Sequence, residues 1–232
     1  MSQAIEVQRV DASCRAALDE TAALLVDAFH DGPLFVTAFP SEPTRESVLR
    51  TLFDALVEDT ARFGGLHIAS CDAAIVGALL WYPPGAYPMT LSRILRQLPR
   101  FLAIAATSPR GLLELRRAQQ AFELRRPKEP HAQACWLAGR AGERVGVRLA
   151  RALMQEADNN DWSIYLETQN ERTMSFYRRM GCELMADGFE CFPGAPLTWI
   201  MWRRPGAGLA RHRRRQDLAP AEHPENEKIA CF

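Results

Sequence analysis

No apolar run in this 232-residue chain is long enough to cross a bilayer. The longest, Phe101 to Ala106, falls far short of the roughly 20 residues that a spanning helix needs. Met1 to Val10 contains no basic segment followed by an apolar core, so no secretory leader is expected. Nor is there an excess of charge: 28 Lys and Arg balance 28 Asp and Glu. That balance removes any whole-chain electrostatic reason to bind nucleic acid or an anionic membrane. The six cysteines (Cys14, Cys71, Cys135, Cys182, Cys191 and Cys231) form no CxxC pair and show no metal-ligand spacing. They read as reduced core residues of a cytoplasmic protein without a metal site. No internal repeat is present.

What remains is ordinary for a globular protein, with 47% apolar and 24% charged residues. The length fits one domain with a tail. Ile5 to Val10 predicts a first strand, with Asp11 and Ser13 placed to cap the next element. Leu18, Ala22, Leu25 and Phe29 carry helical spacing within Ala16 to Phe29. Pro33 to Pro43 reads as a turn, and a second helix is expected from Glu46 to Phe63, ending at Gly64 and Gly65. Leu66 to Cys71 and Ala74 to Tyr82 predict a hairpin turning at Asp72 and Ala73.

Helical spacing returns from about 90 to 126, split at Ser108-Pro109, as an insertion between strands. A strand from Ala132 to Leu137, a helix from Gly146 to Asn159, and a terminal strand pair (Glu183 to Phe192, Leu197 to Arg203) complete the pattern. From residue 206 to 232 the composition turns to Gly, Ala, Arg, Pro and Glu, and a disordered tail is expected. The arginines at 211, 213, 214 and 215 belong to that solvated segment. The order of elements indicates an α/β domain on one sheet.

The most informative segment runs from Ile164 to Gly181. Ile164, Tyr165 and Leu166 form a short buried strand. Asn170 is placed to cap a helix, Arg178 and Arg179 suit its C-terminal dipole, and Gly181 suits the position just after it. Asn170, Tyr177 and Gly181, with Leu166-Glu167-Thr168 ahead of them, resemble the last sequence block of the GNAT acyl-CoA N-acyltransferases. Upstream, Arg140-Ala-Gly142-Glu-Arg144-Val-Gly146 enters a helix where that family places a pyrophosphate-binding loop, Gln/Arg-x-x-Gly-x-Gly/Ala. A glycine-bearing loop at a helix N-terminus offers N–H donors to a phosphate, and it serves equally as a plain turn. Gly146 matches the motif's last glycine. Ala141 and Arg144 depart from it.

The resemblance covers roughly residues 4 to 205. It implies a GNAT fold, with a mixed, mostly antiparallel sheet flanked by helices and carrying the helical insertion. Within GNAT the chain is similar to puromycin N-acetyltransferase-like members, through Arg126 to Pro130 and Thr198 to Arg203. The family implies transfer of an acetyl group from acetyl-CoA to the amine of a small molecule, by direct attack in a ternary complex. It gives Tyr177 the role of acid toward the departing thiolate; the other reading is a tyrosine packed under the sheet. Leu137, Gly142, Arg144, Val145, Gly146, Val147 and Asn170 are the expected coenzyme contacts. Trp81, Tyr82 and Glu167 are the candidate substrate contacts, although Glu167 could equally face solvent. No general base is singled out among Glu167, Asp187, Glu190 and His131. The expected partner is a small amine, with no nucleic acid and no membrane, on a monomer or homodimer. The alternative is a catalytically impaired binding protein of the same fold, on the strength of Ala141 and Arg144.

Overall fold

The computed structural model describes residues 5–140 and 145–207. Ala141, Gly142 and Arg144 lie outside them, as does the expected tail apart from its first two residues, Gly206 and Ala207. The chain builds one seven-stranded sheet in the order β1-β2-β3-β4-β5-β7-β6. The strands are β1 (Glu6–Val10), β2 (Gly65–Cys71), β3 (Ala74–Tyr82), β4 (His131–Gly139), β5 (Ser163–Thr168), β6 (Glu183–Glu190) and β7 (Leu197–Arg203). Among the described residues only β4 and β5 pair in parallel, and the other ladders are antiparallel.

Three helices early in the chain, α1 (Arg15–Phe29), α2 (Pro33–Ala38) and α3 (Glu42–Phe63), cover one face together with the insertion helices α4 (Leu91–Thr107) and α5 (Pro109–Arg125). The other face is covered by α6 (Val145–Asn159) and α7 (Glu171–Arg179). Each face holds its own apolar core, since strand side chains alternate in direction. Leu66, Ile68, Ala78 and Leu80 join the first core, whereas Leu79, Leu137, Ile164 and Leu166 join the second.

The hairpin turns where expected, with Asp72 at φ 50° and Ala73 at φ 66°, the positive pair that a two-residue turn between twisted strands requires. The break at Ser108-Pro109 is equally sharp. Ser108 accepts a hydrogen bond from the Gly111 N–H, and Pro109 occupies the first turn of α5.

Some boundaries differ from the sequence reading. The segment from Pro33 to Pro43 is not a turn throughout: it forms α2, and α3 begins at Glu42. Pro33 and Pro43 each sit in a first turn, where a missing N–H costs nothing and the fixed φ suits the helix. Asp11 and Ser13 do not cap α1. The Asp11 carboxylate instead accepts from the Ser13 backbone and hydroxyl, and Cys14 holds the cap position without a side-chain bond. β6 stops at Glu190 after two slips in register against β7, so Cys191 and Phe192 lie beyond it.

Candidate active site

The β4–β5 ladder runs only from His131↔Ser163 to Ala134↔Leu166. Beyond it, Trp136 to Gly139 of β4 continue against β3 alone, and Glu167 and Thr168 of β5 pair with β7 alone. A register shift on the β3 side at Leu80/Trp81 accompanies the departure and leaves Cys135 outside the pairing. The diverging strand ends border a narrow, mainly apolar cavity of about 20 Å³, lined by Cys135, Leu137, Ala150, Met154, Leu166 and Tyr177 among others.

Tyr177 reaches this cavity from α7 and is almost fully buried, its ring edge-on to Phe176 at 4.9 Å. The helix that carries it is fixed at both ends. Asn170 caps it by accepting from the Arg172 N–H at 3.0 Å. Gly181 follows at φ 93°, a conformation that favours glycine. Arg203 donates to the Met180 carbonyl and makes a two-pronged bond, 2.7 Å each, to Asp158 at the end of α6. Asn170→Ala is expected to cost about 1 kcal/mol of stability, read as a lower urea midpoint at unchanged slope.

Val145 and Gly146 open α6 and press onto bare backbone of the sheet: a Cβ on Gly77 would stand 2.3 Å from Val145 Cγ1. The expected coenzyme contacts Leu137, Val145, Gly146, Val147 and Asn170 thus lie on the α6–α7 face. Gly142 and Arg144 fall in the segment outside the described residues.

Glu167 faces the opposite side of the sheet and does not meet solvent; it is 3% exposed. Gln133 Nε2 donates to its Oε2 at 3.1 Å, and Oε1 has no hydrogen-bond partner. Burial pushes its pKa up to about 7, with the Arg126 guanidinium and the Tyr165 hydroxyl opposing the rise. The Tyr165 hydroxyl is close enough to act on the carboxyl without reaching hydrogen-bond geometry, and it too lacks a partner, as does Gln133 Oε1. Buried polar atoms left unpaired are costly in a fold that needs nothing more of them.

Around this group stand residues that the sequence reading did not assign to the site. Arg126 lies over the rings of Tyr87 and Tyr165, at 4.6 Å and 5.6 Å, and pairs with Glu123. Tyr87 donates to Gln119 on α5. Cys135 is buried at the strand divergence, and burial raises its thiol well above the ordinary value.

The other substrate candidates are not brought to one pocket. Trp81 and Tyr82 are neighbours on a strand, so they point to opposite faces. Trp81 lies on the α6 side and donates to His67 Nδ1 at 3.0 Å. Tyr82 is on the Glu167 side, but its hydroxyl donates to Asp59 at 2.6 Å. His131, at the start of β4, bonds the Glu129 carbonyl and packs against Tyr165 and Trp202, and burial lowers its pKa.

No protein-family model matches the chain, and no curated protein matches it. Solved structures do. A protein from Corynebacterium glutamicum described as histone acetyltransferase HPA2 and related acetyltransferase superposes with a TM-score of 0.64 at 23% identity, covering 88% of this chain and 97% of that one. A ligand-free mutant of agmatine N-acetyltransferase gives 0.54 at 14% identity, over 86% and 99% of the two chains. PaiA N-acetyltransferase from Thermoplasma acidophilum, in complex with coenzyme A, gives 0.50 at 12% identity, over 87% and 99%. At these identities the likeness is one of fold. The chain has the GNAT-like fold: a mixed, mostly antiparallel sheet between helices.

Proposed function

We propose that this protein is an N-acetyltransferase that moves an acetyl group from acetyl-CoA to the amine of a small molecule. One observation carries the reading: the β4–β5 ladder ends at Ala134 and Leu166, and the gap beyond it has Tyr177 on one face of the sheet and Glu167 on the other. The coenzyme arm would enter this gap, whose strand ends share no ladder bonds and can part further. Leu137, Val145, Gly146, Val147 and Asn170 would line the α6–α7 side of that entry, and Gly142 and Arg144 are the further coenzyme contacts proposed from the sequence. Two structural neighbours support the pairing of co-substrate and acceptor, one named for acetylating agmatine and one holding coenzyme A. A puromycin N-acetyltransferase-like member and a cytoplasmic location are the finer forms of this proposal.

In the reaction, the neutral amine attacks the thioester carbon and forms the C–N bond. Collapse of the tetrahedral intermediate breaks the C–S bond. The proton lost by the amine passes to the Glu167 carboxylate, and the Tyr177 hydroxyl gives one to the thiolate. Exchange with solvent resets both groups. The insertion helices, packed over the Glu167 face, favour a small acceptor over an open polypeptide groove.

Glu167 supplies a pH test with two opposite signs. Its pKa is raised from 4.5 to about 7. Between these values the folded chain keeps a proton that the unfolded chain has lost, so stability falls as pH rises. The loss is complete above about 7 and is on the order of 3 kcal/mol. Activity moves the other way, rising through about pH 7 as the carboxylate forms. Glu167→Gln is expected to flatten both profiles and to lower the rate by about 10²-fold. Thiol release followed across pH with a panel of primary amines measures the activity arm. Absence of acetyl-CoA binding at millimolar concentration would favour the catalytically impaired reading that Ala141 and Arg144 suggest.

A further inference from the structure

Helix α4 is amphipathic, and it is mounted with its apolar side outward. At 100° per residue, Arg93, Gln97, Arg100 and Ile104 share one side. That side faces the protein. Arg93 is buried against Asp59, Gln97 donates to the Ala55 carbonyl, and Arg100 pairs with Glu58 at 2.9 Å. The opposite side carries Leu91, Leu95, Leu98 and Leu102, which are 72%, 57%, 40% and 59% exposed. Pro99 and Ala106 complete that side without adding a charge. A continuous apolar stripe of this kind marks an interaction surface.

The spacing of the four leucines is the spacing of a helix-pairing seam, a repeat averaging 3.5 residues. It also reads the same in both directions. A two-fold axis between Arg96 and Gln97 therefore sets Leu91 beside Leu102 of the second copy, and Leu95 beside Leu98 of the second copy. Such a contact is isologous and closes at two. An identical stripe brings no charge into the seam, so none is left desolvated.

Other occupants fit less well. An interfacial helix on an anionic membrane presents cations along its polar side, but Arg93 and Arg100 are consumed by Asp59 and Glu58, and Arg96 stands over the Phe63 ring. The sequence after Ala207 offers Leu209, Leu218, Ile229 and Phe232 at spacings that do not match the stripe.

We infer that the protein forms a homodimer in which α4 packs antiparallel on α4 of a second copy through Leu91, Leu95, Leu98 and Leu102. Sedimentation velocity of the full chain at micromolar concentration should give about twice 26.0 kDa. Leu95→Glu with Leu98→Glu should give a monomer, the dissociation constant rising at least about 100-fold. Its circular dichroism should not change, because both side chains are exposed. In a Cys14→Ser, Cys231→Ser background, Leu91→Cys with Leu102→Cys should oxidise to a covalent dimer. Leu91→Cys alone should not, since its two copies would stand about 16 Å apart along the seam. A monomeric wild type overturns the inference, as does a dimer indifferent to the Leu→Glu pair. A monomer that floats with phosphatidylcholine–phosphatidylserine vesicles overturns it in favour of a lipid surface.

Discussion

Tyr177→Phe is expected to lower kcat for acetyl transfer by about 10²- to 10³-fold and to leave the affinity for acetyl-CoA within about threefold. The ring is buried in the cavity between the diverging strands, so phenylalanine keeps the packing and removes only the hydroxyl. Under the proposed reaction that hydroxyl meets sulfur only as the C–S bond breaks. Its loss therefore falls on the transition state and not on the bound ground state. Steady-state thiol release, with acetyl-CoA affinity measured separately, resolves the two effects. An unchanged kcat would reduce Tyr177 to a packing residue.

The second large effect is on stability. Asp59→Ala is expected to destabilise the protein by about 3–5 kcal/mol, because it leaves the Arg93 guanidinium buried without its counter-charge. Asp59 and Arg93 are 1% and 5% exposed, and Arg93 donates to both carboxylate oxygens. The same carboxylate accepts from Tyr82, whose hydroxyl accepts from Thr60. This cluster ties α4 to α3 and β3, and the first turn of α4 would loosen with it. The melting temperature should fall by roughly 10 °C for a chain of this size. Tyr82→Phe removes one hydrogen bond to a charge and should cost less, about 1.5–3 kcal/mol. A drop for Asp59→Ala no larger than that for Tyr82→Phe would show that the ion pair is not what holds the insertion.

The sequence disclosed features whose signals are local. The positive-φ turn at Asp72-Ala73, the break at Ser108-Pro109, the cap at Asn170 and the glycine at 181 each rest on a few adjacent residues. The resemblance to the GNAT block rested on one such stretch, and the sheet order agrees with it. Proline misled where position matters more than identity: Pro33 and Pro43 start helices and do not merely interrupt them.

The candidate site was only half legible. Tyr177 and Glu167 stood out by motif and by charge in an apolar strand. Tyr87 and Arg126 did not, because they flank the insertion and meet only when it folds over the sheet, and Gln133 joins the group only through the β4–β5 ladder. Gln133 did leave a trace, as a polar residue inside a buried strand directly across from Tyr165 in the ladder. The point where β4 and β5 part had none, since apolar alternation does not encode where pairing stops. The orientation of α4 was hidden for a related reason. An amphipathic pattern does not say which side turns inward, and Asp59 and Glu58 on α3 decide it by demanding cations.

The central claim is that the gap beyond Ala134 and Leu166 receives acetyl-CoA. Calorimetric titration of acetyl-CoA into the wild-type chain tests it most directly. The proposed function predicts a saturable, one-site isotherm in the micromolar range. Absence of binding at millimolar acetyl-CoA would contradict it.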